Sequence, residues 1–314
     1  MSGFKLTTLA LALLLCPFLT GCEKQPTPTE TSAAAPAVAP ATAPPPTGTA
    51  DAAADTPENK AIQRRAAEAT TWGVPAVNFE MLFAAFKQAG GDWNQVAYWS
   101  RLPDWKNQTL TPNPDVIYLI PFYDTRSGPV VLEIPAAEGG SSITGSIDDG
   151  WQAAVEDVGP AGVDKGKGGR YLILPPGYAG NIPTGYIPLH SPTYAGYALL
   201  RSNIGTGSTA DIEAAAAYGR RVKIYPYAQA AAPPETRFVD VVDQVYDATL
   251  PYDARFFERL NDFVQREPWL PRDRAWIDPL KTLGISKGTP YKPAQREAVD
   301  RGIAEAKAWL ESRY

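Results

Sequence analysis

VIYLIPFY, residues 116–123, is the first of five short apolar runs in the block between Thr111 and Arg201. The runs have the length of strands and are rich in β-branched and aromatic residues, which suit a pleated, half-buried surface. Gly, Pro, Asn and Asp, the residues that tight turns need, separate them. We therefore predict an α+β fold with a central, mostly antiparallel β-sheet or barrel-like core. The predicted strands are Val116–Tyr123, Pro129–Ile134, Ser141–Ile147, Arg170–Leu174 and Ala195–Ile204.

Helical patterns flank this block, so we expect N-terminal and C-terminal helices around the sheet. Thr56, Pro57 and Glu58 are typical of a helix start, with a capping hydroxyl, a Pro and an acidic first turn. Gly73-Val74-Pro75 predicts a break, because Pro removes a helical hydrogen bond and clashes with the preceding turn. The predicted helices run from Thr56 to about Thr71, from Pro75 to Gln88, from a cap at Asp211 to about Tyr218, from Asp253 to Arg266 and from Pro293 to Ser312.

The last of these helices carries an apolar stripe that needs a surface to pack on. Val299, Ile303 and Trp309 recur at helical spacing along it. The stripe packs either against this chain or against a separately encoded partner protein, and the sequence leaves both open.

Composition limits the partners and the chemistry. The 314 residues carry a net charge of −5 and contain no basic run, so nucleic acid is not an expected partner. The one histidine, His190, excludes metal motifs built from several histidines. We expect no metal and no cofactor.

The N-terminus has the layout of an export signal. Lys5 precedes an almost unbroken apolar run from Leu6 to Phe18, which predicts a signal peptide over residues 1–21. The run ends in Leu19-Thr20-Gly21-Cys22, which resembles the bacterial lipobox. That resemblance implies acylation of Cys22, including a palmitate-type chain, and cleavage before it. Glu23 in the next position implies sorting to the outer membrane. We therefore expect an exported lipoprotein that Cys22 anchors to the lipid bilayer, facing the periplasm.

Residues 22–56 are built mostly from Pro, Ala and Thr, and they cannot bury enough apolar surface to offset the entropy of ordering. We predict a disordered tether there and a single β-rich domain with flanking helices over residues 57–314. Cys16 would leave with the signal and Cys22 would be acylated, so the mature domain would hold no free thiol. Disulfides, thiolate nucleophiles and Cys-based metal sites are then excluded.

Four groups of residues together resemble the bacterial family called domain of unknown function 1254. They cover nearly all of the chain from about Ala66 onward. The resemblance implies a β-rich domain flanked by helices, and it brings no established catalytic residues. The matching segments are Trp72-Gly73-Val74-Pro75; Thr111-Pro112-Asn113-Pro114-Asp115-Val116-Ile117-Tyr118; the middle runs Gly128–Leu132, Asp149–Trp151, Gly169–Pro175, Ser191–Thr193 and Leu200-Arg201; and Phe256–Leu260 with Leu283–Gly288.

The chain departs from that family pattern in two places. Val116 stands where the family usually has Thr, so a role for that hydroxyl is not transferred. Members commonly continue into a second β-rich domain, numbered 1214, which we expect this chain to lack. A pocket built between two such domains is therefore not transferred either.

One sequence motif has the form of a catalytic signature but lacks its context. Gly284-Ile285-Ser286-Lys287-Gly288 matches Gly-x-Ser-x-Gly, the nucleophile elbow of α/β-hydrolases. The elbow needs a buried strand before the serine and a histidine after it, and neither is predicted here. His190, in a Pro-rich turn, is interpreted as structural.

Carboxylates, Tyr and Arg at predicted strand ends are the remaining candidates for chemistry, and the carboxylates are those of Asp115, Asp148, Asp149 and Asp157. A partly desolvated carboxylate there can act as a general base, or with a second one as an acid/base pair. Turn formation explains the same residues without any chemistry, since Asp favours turns by bonding its own backbone. The candidate catalytic residues are Asp115, Tyr118, Asp149 and Arg170, and the candidate binding residues are Asn113, Trp151 and Arg201.

Two functions remain open at this stage. The favoured one is a tethered accessory module that binds a small molecule, a glycan or a partner protein and performs no chemistry. The alternative is a carboxylate-dependent hydrolase or lyase with its site around Asp115, Tyr118 and Asp149, and with Arg170 or Arg201 binding an anion. The alternative requires these side chains to converge, because proton transfer needs near hydrogen-bond distance.

Overall fold

The apolar runs of the central block fold as strands, and helices from both ends of the chain pack beside them. The computed structural model describes residues 56–109 and 113–313. The predictions for the signal segment, for Cys22, for the tether and for Thr111-Pro112 lie outside these residues. The helices are α1 (Pro57–Gln88), α2 (Thr209–Gly219), α3 (Arg255–Arg266), α4 (Ile277–Thr282) and α5 (Arg296–Glu311). The strands are β1 (Gln95–Tyr98), β2 (Asn107–Gln108), β3 (Val116–Asp124), β4 (Val130–Ile134), β5 (Ile143–Asp149), β6 (Ala154–Val158), β7 (Gly169–Leu174), β8 (Ile187–His190), β9 (Ala195–Asn203), β10 (Lys223–Pro226), β11 (Phe238–Asp240) and β12 (Tyr246–Asp247).

The longer strands form two open sheets. The first has the order β11-β1-β3-β9-β5-β6 and the second has the order β10-β4-β7-β8, while β12 and β2 form a separate pair. Most pairs are antiparallel, and β1–β11, β2–β12 and β7–β8 are parallel. The predicted α+β class with a mostly antiparallel sheet is confirmed. Neither sheet closes on itself, so the core is a packed pair of sheets and not a barrel.

The six-stranded sheet buries both of its faces, which divides the core into two layers. Side chains alternate between the faces of a strand, and β3 shows this clearly. Leu119 and Tyr123 face the second sheet and pack with its β4 and β7 side chains. Tyr118, Ile120 and Phe122 point to the opposite face and belong to the core layer that also contains side chains of α1, α3 and α5.

The predicted break at Pro75 is wrong, because α1 continues through that residue. The tertiary packing explains this result. Gly73 is buried against α3, and a Cβ at that position would lie 3.2 Å from the side chain of Leu260. Helix α3 therefore holds this turn of α1 in place although Pro75 removes one backbone donor. The predicted start is confirmed, since the hydroxyl of Thr56 accepts the N–H of Asn59 at 3.2 Å.

The C-terminal stripe packs largely on this chain. Val299 and Ile303 of α5 are buried in the core layer next to α1. Gly302 makes this approach possible, because a Cβ there would lie 2.4 Å from the backbone oxygen of Gln63. Trp309 is exposed, so a partner protein on this helix stays a prediction that depends on Trp309.

Two further helices differ slightly from the sequence prediction. Ser208, not Asp211, caps α2: its hydroxyl accepts the N–H of Asp211 at 3.2 Å. Helix α3 begins at Arg255 and keeps the predicted apolar face. No helix in the described ranges combines the length and the apolar character that crossing a membrane requires.

Candidate functional site

A cavity of about 220 Å³ lies between α1 and the helix-facing side of the six-stranded sheet. The neighbouring strands β3 and β9 form its floor, because alternate residues of each strand point to this side. Helix α1 and the segment around β2 form the remaining walls. The described lining residues are Asn78, Leu82, Trp99, Asn107, Thr109, Tyr118, Ile120, Gln152, Tyr197, Leu199, Arg201 and Ala248.

Strand pairing places an aromatic ring beside a cation in the floor of the cavity. Tyr118 and Arg201 are direct partners in the β3–β9 ladder, and the guanidinium carbon lies 5.7 Å from the centroid of the tyrosine ring. The Tyr118 hydroxyl accepts the backbone N–H of Asn113 at 2.8 Å. This bond fixes the orientation of the ring, so both groups are held in place.

A chain of hydrogen bonds fixes the amide groups of the cavity. The Tyr197 hydroxyl donates to Oε1 of Gln152 at 2.9 Å. Nε2 of Gln152 donates to Oδ1 of Asn78 at 3.0 Å and to the Pro75 carbonyl at 2.7 Å. Nδ2 of Asn78 in turn donates to the Ala248 carbonyl at 3.1 Å. The polar groups are therefore oriented before any ligand arrives, which lowers the entropy cost of binding.

Arg201 is the charged group of the described lining. Its side chain is partly buried, and among the described residues it has no ion-pair partner and no hydrogen-bond acceptor. Removing a charge from water is costly unless an opposite charge or a set of acceptors compensates for it. The guanidinium therefore favours an anion in the cavity.

Asp148 lies on the same side of the sheet, just beyond the lining. It pairs directly with Tyr197 in the β5–β9 ladder, and only 7% of it is exposed. Burial raises the pKa of Asp148 to about 7, and the negative charges of Asp149 and Asp157 add to this rise, while Arg201 opposes it. The carboxyl group makes no hydrogen bond to a described residue. Burial of Tyr197 raises the pKa of its hydroxyl, and the negative charge of Asp148 adds to this rise.

The predicted catalytic residues do not share one cavity. Tyr118 lines the cavity of about 220 Å³, whereas Asp115 is exposed and lines a separate cavity of about 120 Å³. The carboxylate of Asp149 accepts the N–H groups of Trp151 and Ala153 at 2.8 and 3.0 Å, so it closes the turn after β5. Arg170 stacks over Tyr186 on the outer side of the second sheet, 4.5 Å from the ring centroid. Without a shared site, catalytic roles for Asp115, Asp149 and Arg170 stay predictions.

The predicted binding residues are divided between three places. Arg201 lines the cavity, and Asn113 contacts it indirectly through Tyr118. Trp151 packs between Trp72 and Phe263, with ring centroids 4.7 and 5.0 Å away. Cys22 lies outside the described residues.

Sequence reasoning missed Asn78, Gln152 and Tyr197, and it preferred Asp149 to Asp148. The alternation along β5 could have separated the two acids. The side chain of Asp148 points to the same face of β5 as that of Ser146, whereas the side chain of Asp149 points to the same face as that of the buried Ile147. No local signal identifies Asn78 or Gln152, because their side-chain hydrogen bonds join residues at least 45 positions apart.

Two other sequence features can be placed. Gly284 follows α4, a helix and not a strand, so Ser286 does not stand on a nucleophile elbow. His190 is exposed at the end of β8. The described residues bring together no group of three or more His, Cys, Asp or Glu side chains suited to a metal ion.

Comparisons with known proteins give a match to one family model and a similar fold. Residues 93–226 match the model of the family described as Protein of unknown function (DUF1254). The chain is also similar to the crystal structure of the VPA0106 protein from Vibrio parahaemolyticus, with a TM-score of 0.58 and 15% sequence identity. The similarity covers 81% of this chain and 59% of that chain, so this chain spans less than two thirds of that protein's length. At this identity it shows the fold alone. The search of curated proteins gave no match.

Proposed function

We propose that this chain, which contains a DUF1254 domain over residues 93–226, is a ligand-binding module whose site is the cavity between α1 and the six-stranded sheet. One observation carries the proposal: the polar groups of the cavity converge in a fixed network, while Leu82, Ile120 and Leu199 supply apolar contact surface. Small-molecule sites in proteins combine these same features, an apolar concave surface and a few oriented polar groups.

The composition of the lining favours binding over acid–base catalysis. Among the described lining residues there is no carboxylate, imidazole or amine, the groups that most often transfer protons in enzymes. The alternative of a carboxylate-dependent hydrolase or lyase needs a carboxylate that touches the substrate. Asp115 and Asp149 do not line this cavity, so the geometry gives that alternative less support.

A fragment screen on the purified full-length protein tests the proposal. Ligand-observed NMR would detect fragments that bind, and Leu199→Trp would fill the cavity with an indole ring. Ile182→Trp places the same ring at an exposed position of the β7–β8 connection and is the matched control. We expect a set of fragments to bind the wild type and the control but not Leu199→Trp. If Leu199→Trp blocks none of the bound fragments while keeping its fold by circular dichroism, the proposal is wrong.

We also propose that this module is held at the periplasmic face of the outer membrane by acylated Cys22. The support is the segment Leu19-Thr20-Gly21-Cys22 after an apolar run, followed by Glu23 and a chain rich in Pro, Ala and Thr. Two or more acyl chains would anchor the protein stably. Cells fed a radioactive fatty acid should label the wild type and not Cys22→Ser, with Cys16→Ser as the control. Equal labelling of Cys22→Ser would exclude this anchor.

A further inference from the structure

The charge balance around the cavity points to the chemical class of its ligand. Arg201 contributes a full positive charge to the lining, and the other described lining side chains are uncharged. Asp148, whose raised pKa is lowered in part by the charge of Arg201, stands opposite Tyr197 and forms no ion pair with Arg201. A guanidinium presents parallel N–H groups that match the two oxygens of a carboxylate.

The remainder of the cavity limits the size and the polarity of the ligand. Its volume of about 220 Å³ is below the range of about 300–1,000 Å³ that is typical of sites for drug-sized molecules. Leu82, Ile120 and Leu199 offer an apolar surface, and Trp99 adds an aromatic one. A single small ring or a short aliphatic chain fits these walls, and a polysaccharide does not.

We propose that the cavity binds a small monocarboxylate, with its carboxylate on Arg201 and its apolar body against Leu82, Ile120 and Leu199. Tyr118 holds the guanidinium from the neighbouring strand, and Gln152 with Tyr197 offers hydrogen bonds to a second polar group of the ligand. This inference rests on the proposed binding function and assigns the chemical class of the ligand for the same site.

Benzoate and benzyl alcohol are suitable probes, because they share one ring and differ in charge. Calorimetric titration of the full-length protein should show that benzoate binds about tenfold or more tightly than benzyl alcohol. Arg201→Gln should remove this preference, and Arg201→Lys should keep part of it, since Lys retains the charge without the planar fork. Arg259→Gln, which neutralises an exposed arginine on α3, should leave both affinities unchanged.

The possible outcomes separate this inference from the proposed function. Equal binding of the two probes, both blocked by Leu199→Trp, would overturn the carboxylate assignment and leave the cavity as the binding site. Benzoate binding that Arg201→Gln leaves intact in a folded protein would also overturn the assignment. Probe binding that Leu199→Trp does not affect would count against the proposed function itself.

Discussion

Arg266 of α3 donates a hydrogen bond to the carboxylate of Glu80 on α1, and the two side chains are only 12% and 8% exposed. Nε of Arg266 also donates to Glu267 at 2.8 Å. Glu267 in turn accepts the backbone N–H groups of Tyr194 and Ala195 at 2.6 and 3.2 Å. Burial raises the pKa of both Glu80 and Glu267, and Arg266 opposes that rise. One arginine therefore joins α1, α3 and the start of β9.

Removing this arginine should destabilise the fold strongly. Arg266→Met leaves two buried carboxylates without their cation, and losing one partner of a buried ion pair typically costs about 3–5 kcal/mol. Urea unfolding at pH 7 measures the effect. Arg259→Met on the same helix is the control, because Arg259 is exposed and lies 3.5 Å from an exposed Asp262. The control should change the free energy of unfolding by about 0.5 kcal/mol or less. Equal effects of the two substitutions would contradict this account of the cluster.

Asp148→Asn should stabilise the protein at high pH. The pKa of Asp148 is about 7 in the fold, against an ordinary value of 3.8, so its ionised form is disfavoured by folding. The penalty is absent below the ordinary pKa, grows as the pH rises towards 7 and is constant above it. At pH 8 the substitution should therefore raise the free energy of unfolding by on the order of 2–4 kcal/mol, and the gain should shrink towards pH 4.

Urea unfolding of Asp148→Asn and the wild type across this pH range would measure that difference. Asp115→Asn is the control, since Asp115 is an exposed acid in the turn before β3. The difference in the free energy of unfolding between Asp115→Asn and the wild type should not grow between pH 4 and pH 8. If Asp148→Asn changes the free energy of unfolding equally at every pH, ionisation of Asp148 does not destabilise the fold.

The packing of α5 on α1 can be tested at Gly302. Alanine is normally better than glycine inside a helix, by about 1 kcal/mol. A Cβ on residue 302 would, however, lie 2.6 Å from Cβ of Ala66 and 2.4 Å from the Gln63 oxygen. We expect Gly302→Ala to lower the free energy of unfolding by about 1–3 kcal/mol, the usual cost of overpacking. Ala304→Gly, at an exposed position of α5, reports the propensity term alone. Stabilisation by Gly302→Ala would show that the two helices separate easily.

Local sequence patterns were sufficient for β3, β4, β5, β7 and β9, because β-branched and aromatic runs between turn residues reflect a short-range property. They did not predict the shorter strands, whose formation depends on pairing with distant segments. Long-range packing decides the features that local patterns could not predict, namely the path of α1 and the side chains that meet at the cavity. Helix α1 passes through Pro75 since Gly73 is held against Leu260 of α3. The pairing of β5 with β9 decides which face of β5 points to the helices. It places Asp148, and not Asp149, on that face. Tyr118 and Arg201 were separate candidates in the sequence, and only the pairing of β3 with β9 makes them neighbours.

The affinity of the cavity for a carboxylate should depend on the charge of Asp148. If a carboxylate binds to Arg201, ionised Asp148 repels it, and protonated Asp148 does not. The groups that influence Asp148 are Asp149, Asp157 and Arg201. Two of these three are acids, so their field favours the protonated form. The affinity for benzoate, which stays ionised throughout, should therefore rise as the pH falls from 8 to 6. A gain of roughly threefold to tenfold is the expected effect of neutralising one partly screened charge.

Calorimetry in two buffers of different ionisation enthalpy would detect the accompanying proton uptake near pH 7. In Asp148→Asn the uptake should disappear, and the affinity at pH 8 should match that of the wild type at pH 6, because the asparagine mimics the uncharged acid. Asp115→Asn should keep the wild-type pH dependence. If Asp148→Asn keeps it too, another group takes up the proton. If the wild type shows no dependence while benzoate still requires Arg201, the carboxylate lies too far from Asp148 for their charges to interact.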